Sequence, residues 1–576
     1  MWDPRVDSPT RGSTSRSKSK SGYLDPWTPL SGRELRTSAF TIVRRTMSSN
    51  VKQVSKSADV DERMSALLTN AGAVRAVASA IEGTLGPKGL NCMLVDKFGD
   101  VTVTNDGSTI LDRIEANHPA ARMLIRTAKA QDAEVGDGTT TAAILASALV
   151  AEGVSHIMKG VPVTKVIEGM STGIGRALEV MESAAKPVTG LDDPLLWQAA
   201  YIAGRESKDI ADLVVRAAGL VGKENLSDPA FRLADAVVAK ECAESEVFTG
   251  LIIEKERMNR LMPRSLENAL VLVIDDALEP EQLGDDALST ESGFARYLQL
   301  QNEFKESLQK IVELGVGLVV VHKSAADAAE ELLTDAGVVV IRRASSRDIV
   351  RIVEHTGARS IKRAGLKKPA EELAKFLGKC ERVYEDERLG HIRIVGGAGK
   401  PAATILVGAA TREVKEERER IAEDAAAAVQ AAISGGVVPG GGSVEIAAAR
   451  EVSALRESVK GMASYGVDCV AQALKRPLAQ IVANAGFNPL EKVEDVIAAQ
   501  AERGSPSLAV DCDAGDIADM YELGVVDPAR VKIHALKAAA EVAEAVLRIN
   551  TIIRRRDGAS PGTASSTGQV AGELNL

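Results

Sequence analysis

Residues Gly136-Asp-Gly-Thr-Thr-Thr141, running into the apolar stretch Ala142–Val150, constrain this chain more than any other segment. Two glycines flanking one residue open backbone angles that side chains forbid, so successive N–H groups can converge on an anion. The apolar stretch reads as a buried helix whose positive end faces the same point. A carboxylate between the glycines would repel a phosphate unless a cation lay between them, which makes Asp137 a candidate Mg²⁺ ligand. A tight turn with a threonine N-cap accounts for the same residues without any ligand, so companion motifs have to decide.

The chain has 576 residues, room for about three or four domains. Hydrophobic residues make up 45% but aromatics only 3%, so its cores must be built from Ala, Val, Leu and Ile. A net charge of -10 argues against nucleic acid as a partner. Five scattered cysteines, never spaced Cys-x-x-Cys, point to a reducing, cytoplasmic location without a zinc site. No apolar run is expected to span a bilayer, so no membrane partner is expected. Residues 1–46, with nine basic residues against four acidic ones, read as a disordered leader ahead of Met47. Residues 557–576, rich in Gly, Ser and Thr, read as a flexible tail.

Apolar positions near 3.6 spacing predict helices over residues 60–90 and from Thr109 to about Ala185. Met93–Val95 and Val101–Val103 flank a Phe-Gly-Asp turn and predict a hairpin. The middle changes character. Strand runs at Ala269–Asp275, Gly317–His322 and Gly337–Ile341, with helices at Ala325–Asp335 and Ser346–His355, predict a small α/β module. An excursion from Glu279 to Leu314 interrupts it. Its first part, Leu283–Gly293, reads as an exposed tip, and its second places Phe294, Leu298, Phe304, Leu308 and Ile311 on one helical stripe. Helices return at Glu413–Ile433, Val444–Leu455, Val467–Asn484 and Pro528–Arg554. The simplest topology is a multidomain α+β chain: one helical domain formed by both chain ends, with the α/β module inserted.

Four further segments suit a nucleotide, and each has a plainer reading. Thr84-Leu-Gly-Pro-Lys-Gly89 is by itself best explained as a helix C-cap and turn. Asp106, in Thr-Asn-Asp-Gly-Ser, is either an N-cap residue or a carboxylate aimed at an attacking water. Gly435–Gly442 is either a hinge or a backbone surface for a base or sugar. In Gly524-Val-Val-Asp-Pro, Asp527 reads as an N-cap with Pro528 at N1, a role that leaves ribose binding open. Asp424 is a further candidate, because it sits where a charged helix face turns Ala-rich and another element can approach. No Walker A pattern occurs.

Taken in order, Thr84-Leu-Gly-Pro-Lys-Gly, Leu94-Val-Asp, Gly99-Asp-Val-Thr-Val-Thr-Asn-Asp-Gly, His118-Pro-Ala-Ala, Glu134-Val-Gly-Asp-Gly-Thr-Thr-Thr, Val438-Pro-Gly-Gly-Gly, Asn484-Ala-Gly and Gly524-Val-Val-Asp-Pro resemble the chaperonins. The resemblance covers about residues 55–556. It is closer to the archaeal and eukaryotic (group II, thermosome-like) branch, and to the archaeal-type chaperonins of some bacteria, than to group I.

The resemblance implies an equatorial ATP-binding domain (47–188 and 442–556), an intermediate domain (189–254 and 403–441) and an apical substrate-binding domain (255–402). It also implies a lid protrusion at about 279–314. It implies stacked rings that enclose non-native proteins, ATP hydrolysis driving closure, and no separate lid co-chaperonin. By residue match, Thr84, Leu85, Gly86 and Pro87 contact nucleotide. Asp137 holds Mg²⁺, and Gly138, Thr139, Thr140 and Thr141 bind phosphate, with K⁺ as a further possible cofactor. Gly441 and Asp527 contact the adenosine, while Asp106 and Asp424 position the hydrolytic water. One departure stands out. The family carries a phosphate-sensing lysine where this chain reads Ala203-Gly-Arg-Glu-Ser-Lys208, so Arg205 is the substitute, and its planar fork is not equivalent to an ammonium. A passive ring or holdase with a structural nucleotide site is the alternative, but its mark would be loss of Asp106, Asp137 or Asp424, and all three are present.

Overall fold

The computed structural model describes residues 51–55, 58–61, 63–284 and 290–555; the expected leader (1–46), the core of the expected tip (285–289) and the tail (557–576) lie outside them. The longer helices are α1 (Arg63–Ile81), α2 (Gly107–Arg113), α3 (Pro119–Val135), α4 (Thr139–Met158), α5 (Val163–Ala184), α6 (Pro194–Ala203), α7 (Lys208–Val221), α8 (Glu291–Glu313), α9 (Asp327–Asp335), α10 (Ser346–Thr356), α11 (Arg412–Gly435), α12 (Ser443–Leu455), α13 (Ser464–Leu474), α14 (Arg476–Asn484), α15 (Pro489–Arg503) and α16 (Ala529–Leu547). The strands are β1 (Val51–Ser55), β2 (Ala58–Asp61), β3 (Cys92–Val95), β4 (Val101–Thr104), β5 (Val237–Glu241), β6 (Glu246–Ile253), β7 (Ser265–Ile274), β8 (Val316–Val321), β9 (Val339–Ile341), β10 (Gly378–Asp386), β11 (His391–Gly397), β12 (Ala403–Ala409), β13 (Val437–Pro439), β14 (Leu508–Val510), β15 (Ile517–Asp519), β16 (Val526–Pro528) and β17 (Ile552–Arg555).

Both ends of the chain build one helical core. Leu124 of α3, Leu145 and Leu149 of α4 and Met181 of α5 are buried in one cluster with Val452 of α12, Val470 of α13 and Leu536 and Val546 of α16. Small aliphatic side chains let these helices pack closely, which is how a chain poor in aromatics fills its interior. A second cluster joins Leu196, Ile210 and Val214 to Ile405, Ala425, Val429 and Val526, so α6 and α7 pack on α11 and β12.

Between the two helical halves lies an eight-stranded sheet, ordered β5-β12-β6-β11-β10-β7-β8-β9. β7, β8 and β9 are parallel, as the βαβ alternation predicts, and β10, β11, β6 and β12 continue the sheet antiparallel. The expected three-strand module is therefore only one edge of the sheet. β1, β2 and β17 form a separate three-stranded antiparallel sheet.

Several sequence expectations are corrected. The last helix ends at Leu547, and residues 552–555 form β17 instead, because the β-branched pair Ile552-Ile553 favours a pleated strand. The expected helix Val467–Asn484 is two helices meeting at Lys475, since Pro477 falls in the first turn of α14 and cannot continue α13. On α8, Leu300, Phe304, Leu308 and Ile311 are buried, but Phe294 and Leu298 are 55% and 49% exposed, so only the second half of the expected stripe faces the core. Two segments, Met64–Thr84 and Thr139–Met158, are long and apolar enough to cross a membrane by length and composition, contrary to expectation. The second is 67% buried within the protein, and its apolarity serves the packing of α4 against α13 and α16.

Candidate active site

The turn between α3 and α4 is built by two left-handed glycines. Gly136 (φ 74°) caps the end of α3, and Gly138 (φ 82°) is the N-cap of α4. No side chain caps α4, so the threonine-cap reading is set aside, and its first-turn N–H groups have no capping side chain. Neither glycine has room for a Cβ. At Gly138 it would lie 2.7 Å from Val531 Cγ1, and at Gly136 it would overlap the Ala427 methyl. The turn is thus wedged between α16 and the Ala-rich face of α11. Buried Gln131 fastens it: Nε2 donates to the Asp137 carbonyl at 2.8 Å and the Val531 carbonyl at 3.3 Å, and Oε1 meets His534 Nδ1 at 2.5 Å.

Three other carboxylates converge on Asp137. Asp106 does cap α2, accepting from Ser108 N at 3.1 Å and Thr109 N at 2.7 Å. The next residue, Gly107, lies directly against Thr140 Oγ1 in the first turn of α4. Asp424 is on α11 one turn before Ala427, the residue that touches Gly136. The electrostatics record the same convergence. Burial, then the neighbouring Asp527 carboxylate, pushes the Asp137 carboxyl up to about 6. Burial, then Asp106 and Asp137, raises Asp424 well above the usual carboxylate range, with Arg205 opposing. Asp106 and Asp527 therefore lie near enough to Asp137, and Asp106 and Asp137 near enough to Asp424, to oppose its charged form.

Asp527 does not cap a helix, which corrects the sequence reading. It lies in β16 opposite Val438 of β13, and α16 begins at Ala529 without a side-chain cap. Its carboxylate instead pairs with Lys532 Nζ at 2.8 Å, and Lys532 also reaches Glu445 at 2.9 Å. β13 pins the glycine-rich segment after it: Gly440 N donates to the Val525 carbonyl at 3.0 Å, and a Cβ on Gly441 would lie 3.0 Å from Met520 Sδ. These contacts hold the segment against β16 and Met520.

Thr84 ends a 3₁₀ turn, its hydroxyl donating to the Ile81 carbonyl at 2.8 Å. Asn484 Nδ2 holds the turn through the carbonyls of Glu82 (2.9 Å) and Leu85 (2.8 Å). A Cβ at Gly86 would meet Ile481, and one at Gly442 would meet Leu478, so both glycine loops lie along α14 about one turn apart. The 82–84 turn also packs on α4, which carries Thr139, Thr140 and Thr141. Arg205 follows α6 with φ 52°, pairs with Glu417, and brings its second terminal nitrogen to 3.5 Å from Asp424.

Gln131, His534, Lys532, Glu445 and Glu417 belong to none of the sequence motifs. Nothing local marks them, because their partners lie up to 403 residues away in the chain. Among the described residues, no group of three or more His, Cys, Asp or Glu side chains forms a metal cage. Asp137, beside an uncapped helix N-terminus, suits Mg²⁺ carried in with phosphate oxygens, since Mg²⁺ keeps much of its water and needs only one or two protein ligands.

A helical layer closed by both ends of the chain, with a sheet module inserted in sequence between its halves, is a chaperonin-type subunit. Residues 77–557 match the TCP-1/cpn60 chaperonin family, and the chain belongs to that family. It is 34% identical over 528 residues to a thermosome subunit of Pyrococcus abyssi, covering 87% of this chain and 94% of that one. It is 32% identical over 518 residues to the thermosome subunit alpha of Thermoplasma acidophilum, covering 87% and 93%. The crystal structure of a group III chaperonin in the open state superposes with a TM-score of 0.78 at 46% identity, covering 85% of this chain and 99% of that one.

Proposed function

We propose that this chain is the subunit of a cytoplasmic, ATP-hydrolysing chaperonin that stacks in two rings and encloses non-native proteins. The observation that carries the catalytic part is the convergence of Asp106, Asp137 and Asp424 on the uncapped N-terminus of α4. In this reading Gly138, Thr139, Thr140 and Thr141 bind phosphate, and Asp137, which accepts the Gly138 N–H at 2.5 Å, holds Mg²⁺. Bound magnesium supplies charge neutralisation at the phosphates. Thr84, Leu85, Gly86 and Pro87 line the nucleotide from one side, and Gly441 and Asp527 take the adenosine. Asp106 and Asp424 orient the attacking water, so catalysis is positioning plus electrostatic complementarity. Arg205 stands where the family's phosphate-sensing lysine is expected.

The segments 47–188 and 442–556 act as the equatorial domain, 189–254 and 403–441 as the intermediate domain, and 255–402 as the apical domain. Segment 279–314 serves as a built-in lid. The exposed Phe294 and Leu298 support that role, because the core buries only the second half of α8 and leaves these two side chains outside it. Refolding of a denatured client with and without ATP, together with particle imaging of the purified protein, tests the proposal. ATP-dependent recovery by closed double rings is expected. Client binding unchanged by ATP would indicate a passive holdase and overturn it.

A further inference from the structure

Residues seven apart on a helix share a face. Glu417 and Asp424 are so related on α11, with Arg420 between them on the same stripe. One oxygen of Glu417 accepts from Arg205 Nη1. The other accepts from Arg420 Nη2 at 2.6 Å and from the Thr104 hydroxyl at 3.4 Å. The second arm of the Arg205 fork stands 3.5 Å from Asp424 Oδ2. The Thr104 oxygen in turn accepts the N–H of Asp106 at 3.1 Å. Glu417 therefore reaches the Asp424 carboxylate through Arg205, and the backbone N–H of Asp106 through Thr104.

The loop that carries Arg205 is itself strained. Arg205 and Glu206 both adopt left-handed angles (φ 52° and 59°), a conformation that side-chain-bearing residues disfavour. The Glu206 N–H to Tyr201 carbonyl bond (2.8 Å) and the Glu417 ion pair oppose that strain and aim the guanidinium at α11. Because the fork is shared, Arg205 is held off Asp424 at a long distance and leaves that carboxylate able to accept from water.

We propose that Glu417 is a positioning residue for ATP hydrolysis, holding Arg205 and Thr104 so that Asp424 and Asp106, on elements some three hundred residues apart in sequence, address one water molecule. This role rests on the assignment of Asp106 and Asp424 given above. Without the Glu417 charge, the whole Arg205 fork closes on Asp424 and ties up its free oxygen.

The test is steady-state ATPase kinetics of the assembled protein. Glu417→Gln keeps the size and the acceptor oxygen but removes the charge. Its kcat should fall about tenfold, the effect typical of losing an orienting partner, while KM for ATP stays within about twofold, because Glu417 hydrogen-bonds to none of Thr84–Pro87, Gly138–Thr141, Gly441 or Asp527 and meets the nucleotide site through Arg205. Adding Arg205→Ala to Glu417→Gln should lower kcat no further than the worse single variant, since the two act as one unit. Should Glu417→Gln fail to assemble, Glu417→Asp is measured, and a kcat loss without a KM change is again expected. Wild-type kcat in a folded Glu417 variant, a change confined to KM, or multiplicative loss in the double variant would each overturn the proposal. Normal hydrolysis by Asp424→Ala would instead sink the underlying assignment. An inactive Asp424→Ala beside a fully active Glu417→Gln would sink only the role of Glu417.

Discussion

Lys532 is the cation that the acidic pocket can least afford to lose. Its side chain is 11% exposed and lies between Asp527 at 2.8 Å and Glu445 at 2.9 Å, the latter only 1% exposed. Those two carboxylates outweigh the cost of burial and raise the Lys532 ammonium above its ordinary range. Lys532→Met preserves most of the volume but leaves Glu445 charged, buried and without a counter-ion. Breaking a buried pair in this way costs about 3–5 kcal/mol. At roughly 2–4 °C per kcal/mol for a domain of this size, the melting transition should fall by roughly 6–20 °C. Scanning calorimetry at pH 7.5 reads this directly. The double variant Lys532→Met/Glu445→Gln, which removes the stranded charge, should recover at least half the loss. In the unsubstituted protein the raised lysine pKa makes the contribution fully present below about pH 10.4, the unfolded value, and lost as pH climbs above it. A single variant that melts within about 2 °C of the parent, or a double variant with no recovery, would refute the reasoning.

Other expectations follow from the same pocket. Gly138→Ala forces a left-handed alanine, costing about 1–2 kcal/mol, and drives a methyl against Val531 and Gln131, adding about 1–3 kcal/mol of overpacking; calorimetric titration should show nucleotide affinity falling together with thermal stability. Burial, then Glu419, pushes Glu423 up to about 7, so the folded protein holds a proton there that the unfolded chain releases near pH 4.3. Stability should therefore decline from pH 5 to pH 8 through this group, and Glu423→Gln should melt a few degrees higher than the parent at pH 8 and about equal to it at pH 5.

What the sequence discloses depends on how local each signal is. β7, β8 and β9 are legible because their sheet segment is buried on both faces and reads as unbroken Val, Leu and Ile. β10 is not, because Lys379, Glu381, Arg382 and Glu385 break its apolar run while the Arg and Glu pairs are satisfied only across the sheet. The switch on α11 from charged to Ala-rich is legible as a close approach, and Gly136 makes it. The glycine turn and the acids at 106 and 137 are legible because their neighbours in sequence already define a turn or a helix start, and Asp424 because the helix around it turns Ala-rich. Asp527 reads as a cap in sequence because Pro528 imitates a helix start, whereas pairing of β16 with β13 holds it extended. Lys532, Gln131 and Glu417 form no motif; the fold adds Glu445, His534 and Arg205 to the near partners they have in sequence.

The central claim is that Asp424 serves hydrolysis and not the binding of nucleotide. Asp424→Ala, assayed for ATP turnover and, in parallel, for ATP affinity by equilibrium titration, tests it most directly. Turnover should fall by about a hundredfold or more with affinity essentially retained, whereas normal turnover, or a loss of affinity that accounts for the whole defect, would contradict it.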